Sequence, residues 1–93
     1  MYIVVANVVG PTEARGINRL GHLLQKTADP RDGLEHVYAE DNPEHTSLVM
    51  FLLADGLEEA EQTARTMCRR LLYDEPGLAD CAMGRVVGIE GLL

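Results

Sequence analysis

The chain has 93 residues, 46% of them hydrophobic and 25% charged, with a formal net charge of −7. That length makes one domain, in which folding buries about 60–65% of the surface of the unfolded chain, and the aliphatic content excludes disorder. The negative balance argues against a nucleic-acid backbone or an anionic membrane as partner, because both require a positive footprint.

Tyr2 to Val9 is β-branched or apolar apart from Asn7 and stops at Gly10-Pro11, which predicts a first strand. Thr12 then offers an N-cap oxygen and Glu13 suits the first turn. Ala14, Ile17, Leu20, Gly21 and Leu24 recur at helical spacing, so a first helix is expected to about Lys26. Gly21 on the apolar stripe points to close packing of that helix on a sheet.

Asp29-Pro-Arg-Asp-Gly33 is a turn cluster. Leu34 to Glu40 alternates, with Val37 and Ala39 on one side and Leu34, His36, Tyr38 and Glu40 on the other, predicting a second strand. A hairpin-length loop, Asp41 to His45, leads to a third strand over Thr46–Ala54.

Asp55 and Glu58 have capping-box spacing at the start of a second helix, Leu57 to Leu72, whose apolar face is Leu57, Ala60, Ala64, Met67, Cys68 and Leu71. Acidic residues lead it and Arg65, Arg69 and Arg70 follow, as the helix dipole prefers, with Glu61 and Arg65 as an i, i+4 pair. Asp74-Glu-Pro-Gly77 ends the helix. Leu78 to Gly88 is expected as a fourth strand, with Ile89–Leu93 as a short apolar tail.

The order β-α-β-β-α-β resembles the ferredoxin-like, split βαβ arrangement over almost the whole chain. The resemblance implies a single α+β domain over residues 1–93: a four-stranded antiparallel sheet with both helices on one face. Its two central strands would be the first and third, and both are apolar on both sides. Tyr2, Val4, Ala6 and Val8 stand opposite Ile3, Val5, Asn7 and Val9, while Leu48, Met50 and Leu52 stand opposite Val49, Phe51 and Leu53. Two helices cover only one face, and a five-residue tail cannot cover the other. The economical answer is homodimerisation through the second face, similar to the dimeric α+β barrel group.

The polar residues assigned by strand parity to that second face are Asn7, His36, Tyr38 and Arg85, with Cys81 and Met83 alternating beside Arg85. In an apolar cavity such a set suits a small polar or anionic ligand, or proton transfer at a carbonyl. No dinucleotide, P-loop, nucleophile-elbow or zinc-protease motif occurs, no metal-ligand spacing, and no cofactor signature. Cys68 and Cys81 are expected as free thiols. Metal-chaperone relatives would need paired cysteines and RNA-recognition relatives a basic aromatic face; ACT-like ligand sensors match only in the position of Asn7–Thr12. No leader or apolar span of about 18 residues is present, which implies a cytoplasmic protein, and the preference for Arg over Lys suggests a GC-rich bacterial genome.

Two functions fit. The first is a homodimeric accessory or regulatory module binding a small ligand or partner protein through the open sheet face. The second is a cofactor-independent dimeric barrel enzyme (oxygenase, cyclase or isomerase type) acting through the same four side chains.

Overall fold

In the computed structural model, residues 1–16 and 19–90 are described, with backbone only at Glu90. The elements are strand β1 (Tyr2–Val9), helices α1 (Thr12–Arg15) and α2 (Arg19–Thr27), strands β2 (Leu34–Asp41) and β3 (Thr46–Leu52), helix α3 (Leu57–Asp74) and strand β4 (Ala82–Glu90). Short 3-10 turns at Pro30–Asp32 and Pro76–Leu78 precede β2 and β4. The strands form one antiparallel sheet in the order β2-β3-β1-β4, an α+β architecture.

One face of the sheet carries the core. Val4, Ala6 and Val8 of β1 and Leu48, Met50 and Leu52 of β3 are fully buried against Leu20 and Leu24 of α2 and Ala60, Ala64, Met67, Cys68 and Leu71 of α3. The 3.6-residue spacing predicted for α3 is therefore the face that packs, except at its first position, where Leu57 is exposed. Gly21 of α2 is buried over β2, with the Tyr38–Ala39 backbone so near that an added methyl would just meet it at 3.6 Å.

Several local expectations are corrected. The first helix is broken, because Gly16 at φ 34° ends α1 after one turn, and its first residue is Thr12 with Pro11 as the cap. Ile17, expected on the apolar stripe, lies outside the described residues, as does the Gly91–Leu93 part of the expected tail. Ile89 and Glu90 belong to β4, which starts at Ala82 and not at Leu78; Leu78 is instead a buried core residue in the preceding turn. At α3 the N-cap is Gly56, and Glu59, not Glu58, reaches back to the Asp55 amide at 3.0 Å. Glu61 turns away from Arg65 to accept a 2.8 Å hydrogen bond from the Gly88 amide, occupying an outward N–H of edge strand β4. The Arg70 guanidinium likewise leaves the solvated side to bind Asp32 at 3.1 Å.

Arg15 has a role that sequence patterning does not suggest. It is 1% exposed, and its guanidinium donates to the Gly10 carbonyl (2.9 Å), the Asn42 and Pro43 carbonyls (3.1 and 3.0 Å) and the Thr46 hydroxyl (3.0 Å). The Thr46 hydroxyl in turn donates to Asp41. This cation therefore pins the β2–β3 loop to the end of β1, with a carboxylate one hydrogen bond away.

Candidate functional site: the open face of the sheet

Among the described residues the second face has no helix over it, and the pairing registers arrange it in three rows running across all four strands, with Val9 and Ala82 forming a shorter row on β1 and β4 beyond them. The polar row is Glu40–Ser47–Asn7 followed by Gly84 and Arg85, the middle row Tyr38–Val49–Val5–Val87, and the end row His36–Phe51–Ile3–Ile89. The middle and end rows carry the apolar and aromatic residues expected there from the double-sided pattern of the central strands. Tyr38, Val87 and Ile89 are 43%, 41% and 54% exposed, whereas Val49, in the middle of the face, is covered by its neighbours.

Two β-bulges decide who joins this face. In β2 the register shifts at Glu35, so Leu34 pairs with Leu52 and packs on the core, while His36 and Tyr38 face outward. In β4 the shift falls between the partners of Ala6 and Val8, so Gly84 and Arg85 together oppose Asn7. Met83 and Cys81, expected beside Arg85, are thereby rotated to the other side and pack against the core. A methyl on Gly84 would touch Asn7 and the Val9 side chain.

The four candidate residues share the face but divide between two ends of it. His36 and Tyr38 form a cluster with Phe51, the three ring centroids lying 5.8–6.3 Å apart. Tilted rings at such separations are in the favourable range for aromatic pairs. At the other end Asn7 accepts a 3.0 Å hydrogen bond from the only serine, Ser47, and has Arg85 beside it on β4. With strands about 4.8 Å apart and like-facing residues about 6.8 Å apart, His36 and Arg85 stand at opposite corners, roughly 20 Å from each other. A small molecule on one protomer therefore spans His36 and Tyr38, or Asn7 and Arg85, but not all four. Phe51, Ser47 and Glu40, which sequence reasoning did not single out as site residues, complete the two ends. Strand parity was the signal that could have found them.

The described residues enclose no cavity, and among them no group of three His, Cys, Asp or Glu side chains is placed to hold a metal ion. Both cysteines are free; burial pushes the Cys68 thiol up to about 12, and burial raises Cys81 as well, against the opposing pull of Arg15. Among the described residues no helix is long and apolar enough to cross a membrane.

No family model, curated protein or solved structure matches the chain. Its function therefore has to be read from the face itself.

Proposed function

We propose that the chain is a small homodimeric accessory or regulatory module of ferredoxin-like type, pairing through its open sheet face in the manner of dimeric α+β barrels. The observation that carries this reading is the pair of apolar rows, Tyr38–Val49–Val5–Val87 and His36–Phe51–Ile3–Ile89, on a sheet whose other face already holds a complete core. The strand order β2-β3-β1-β4 with both longer helices on one side supports the ferredoxin-like assignment. The two free cysteines fit a reducing, cytoplasmic setting.

The three rows together span roughly 20 Å by 20 Å, about 400 Å2, of which the two apolar rows make up about two thirds, an apolar patch near the scale of the largest on a small monomer, which is often functional. Two such faces bury roughly 800 Å2, at the weak end of specific interfaces, so association is expected to be reversible and in the micromolar range. At the margins of the paired faces the aromatic corner and the Asn7–Arg85 corner are the seats for a small ligand or a partner-protein segment. The enzyme alternative uses the same four side chains and has no separate observation in its favour.

Light scattering across a concentration series tests the pairing: a mass rising from 10.2 kDa toward twice that value is expected. Val87→Lys, at an exposed position, should hold the protein at the lower mass without unfolding it. A folded wild-type monomer at every concentration overturns the reading. The ligand part is tested by a thermal-shift screen of small polar and anionic compounds, in which His36→Ala or Arg85→Ala should abolish any stabilisation the wild type displays.

A further inference from the structure

The polar row is self-complementary when read backwards. From one edge of the sheet to the other it runs Glu40, Ser47, Asn7, Arg85: an anion at one end, a cation at the other, and a hydrogen-bonded hydroxyl and amide between them. Both end residues are exposed; Glu40 is the only acid of the polar row and Arg85 the only guanidinium of the three rows, while Glu35, the extra residue of the β2 bulge, is an exposed acid beside His36 at the far corner.

We infer that two copies pair face to face about a two-fold axis that runs parallel to the strands, between β3 and β1. This rests on the homodimer reading above and adds its geometry. Such an axis exchanges β2 with β4 and β3 with β1 while leaving each row at its own height. Arg85 then meets the partner's Glu40, and the Asn7 amide, whose oxygen already accepts from Ser47, has its N–H groups to offer to the partner's Ser47. The middle row lays Val87 on the partner's Tyr38, and the end row lays Ile89 on the partner's His36. Apolar rows thus cover apolar rows, and the one polar row covers itself with opposite charges in contact, twice over by symmetry.

An axis across the strands does the opposite. It inverts the order of the rows, so that Arg85 is laid on the partner's Ile89 and the hydrogen-bonding pair at Asn7 on the partner's Phe51 and the partner's Ile3. That arrangement desolvates a guanidinium without an acceptor, a cost that the strand-parallel axis avoids. Twisted sheets stacked face to face cross at about 30°, which displaces the row ends by about 4 Å relative to one another. The long Arg85 and Glu40 side chains span that offset.

Charge reversal tests the axis separately from the dimer. Glu40→Arg sets a second guanidinium against the partner's Arg85, and Arg85→Glu sets a second carboxylate against the partner's Glu40, so each variant alone should associate at least about ten-fold more weakly than wild type. Mixed in equal amounts, the two variants can form a heterodimer in which neither contact sets like against like: the introduced guanidinium meets the introduced carboxylate, and the native Arg85 of one copy meets the native Glu40 of the other. A heterodimer of near wild-type affinity is therefore expected by sedimentation equilibrium. Circular dichroism of each variant verifies the fold. If the wild type dimerises but the reversals have no effect, or if mixing fails to restore affinity, the strand-parallel axis is wrong while the dimer stands. If the wild type does not dimerise at all, both readings fall.

Discussion

Replacing Arg15 should be among the most damaging single changes to this domain that leave the aliphatic core intact. Arg15→Ala removes four hydrogen bonds from one buried cation, to Gly10, Asn42, Pro43 and Thr46. Bonds to a charged group contribute about 1.5–3 kcal/mol each, but the three carbonyls lie in loops that water can reach, and removing the cation also relieves its own desolvation. The Thr46 hydroxyl is fully buried and is left with Asp41 alone. A net loss of about 3–5 kcal/mol follows, a large part of the roughly 5–15 kcal/mol available to a domain. With a urea m-value of about 2 kcal/mol/M, the midpoint should fall by about 2 M at constant m. Arg15→Lys keeps the charge but cannot fan out to loops on two sides, and should lie between the two. Urea unfolding followed by circular dichroism measures all three proteins. A loss below about 1 kcal/mol for Arg15→Ala would mean that the β2–β3 loop is held without the guanidinium, and would refute the assigned role.

Two further predictions concern single sites. Gly33 sits at φ 74°, and a methyl there would lie 2.5 Å from the Leu53 carbonyl oxygen, a backbone atom that also borders the 2.8 Å bond from the Leu53 amide to Gly33. Gly33→Ala should therefore destabilise by about 2–3 kcal/mol in the same assay, more than any exposed substitution nearby. Cys68, with its pKa raised by burial from 9.0 to about 12, binds its proton more tightly when folded. Its contribution is complete below pH 9.0 and is lost as pH rises toward about 12, at about 1.4 kcal/mol per pH unit. Cys68→Ala should flatten the alkaline limb of the stability curve, and at about pH 8, below the ordinary thiol range, a thiol reagent should label Cys81 in the native protein well before Cys68.

The elements whose own residues specify them were legible in the sequence. The doubly apolar β1, the Asp29–Gly33 turn and the apolar stripe of α3 from Ala60 to Leu71 stand where local pattern puts them, whereas β3 ends at Leu52 and not at Ala54, and Leu53 and Leu57 are exposed. What escaped were features set by a partner across the sheet. Glu35 in β2 and the Gly84–Arg85 pair in β4 are extra residues only relative to β3 and β1, so strict alternation misassigned Leu34, Met83 and Cys81. Gly84 within an otherwise regular strand was the one available warning. Arg15 and Glu61 were unreadable for a related reason. A surface-type residue at a helix position looks solvated until a loop carbonyl or an edge amide is brought to it by the tertiary fold. For the site, parity put Asn7, His36, Tyr38 and Arg85 on one face, and the pairing registers do the same. Their separation into two corners depends on register, which parity does not contain.

The proposed pairing requires that the open face be covered in solution by another copy of the chain. Methyl-resolved nuclear magnetic resonance with a soluble paramagnetic agent measures that cover directly, at concentrations well below and well above a micromolar dissociation constant, about 1 μM and about 1 mM. The methyls of Ile3, Val5, Val87 and Ile89 should be shielded at high concentration and broadened on dilution. Those of Val4, Leu48 and Leu71, buried in the core, should be unaffected throughout. Open-face methyls broadened equally at both concentrations would contradict the pairing.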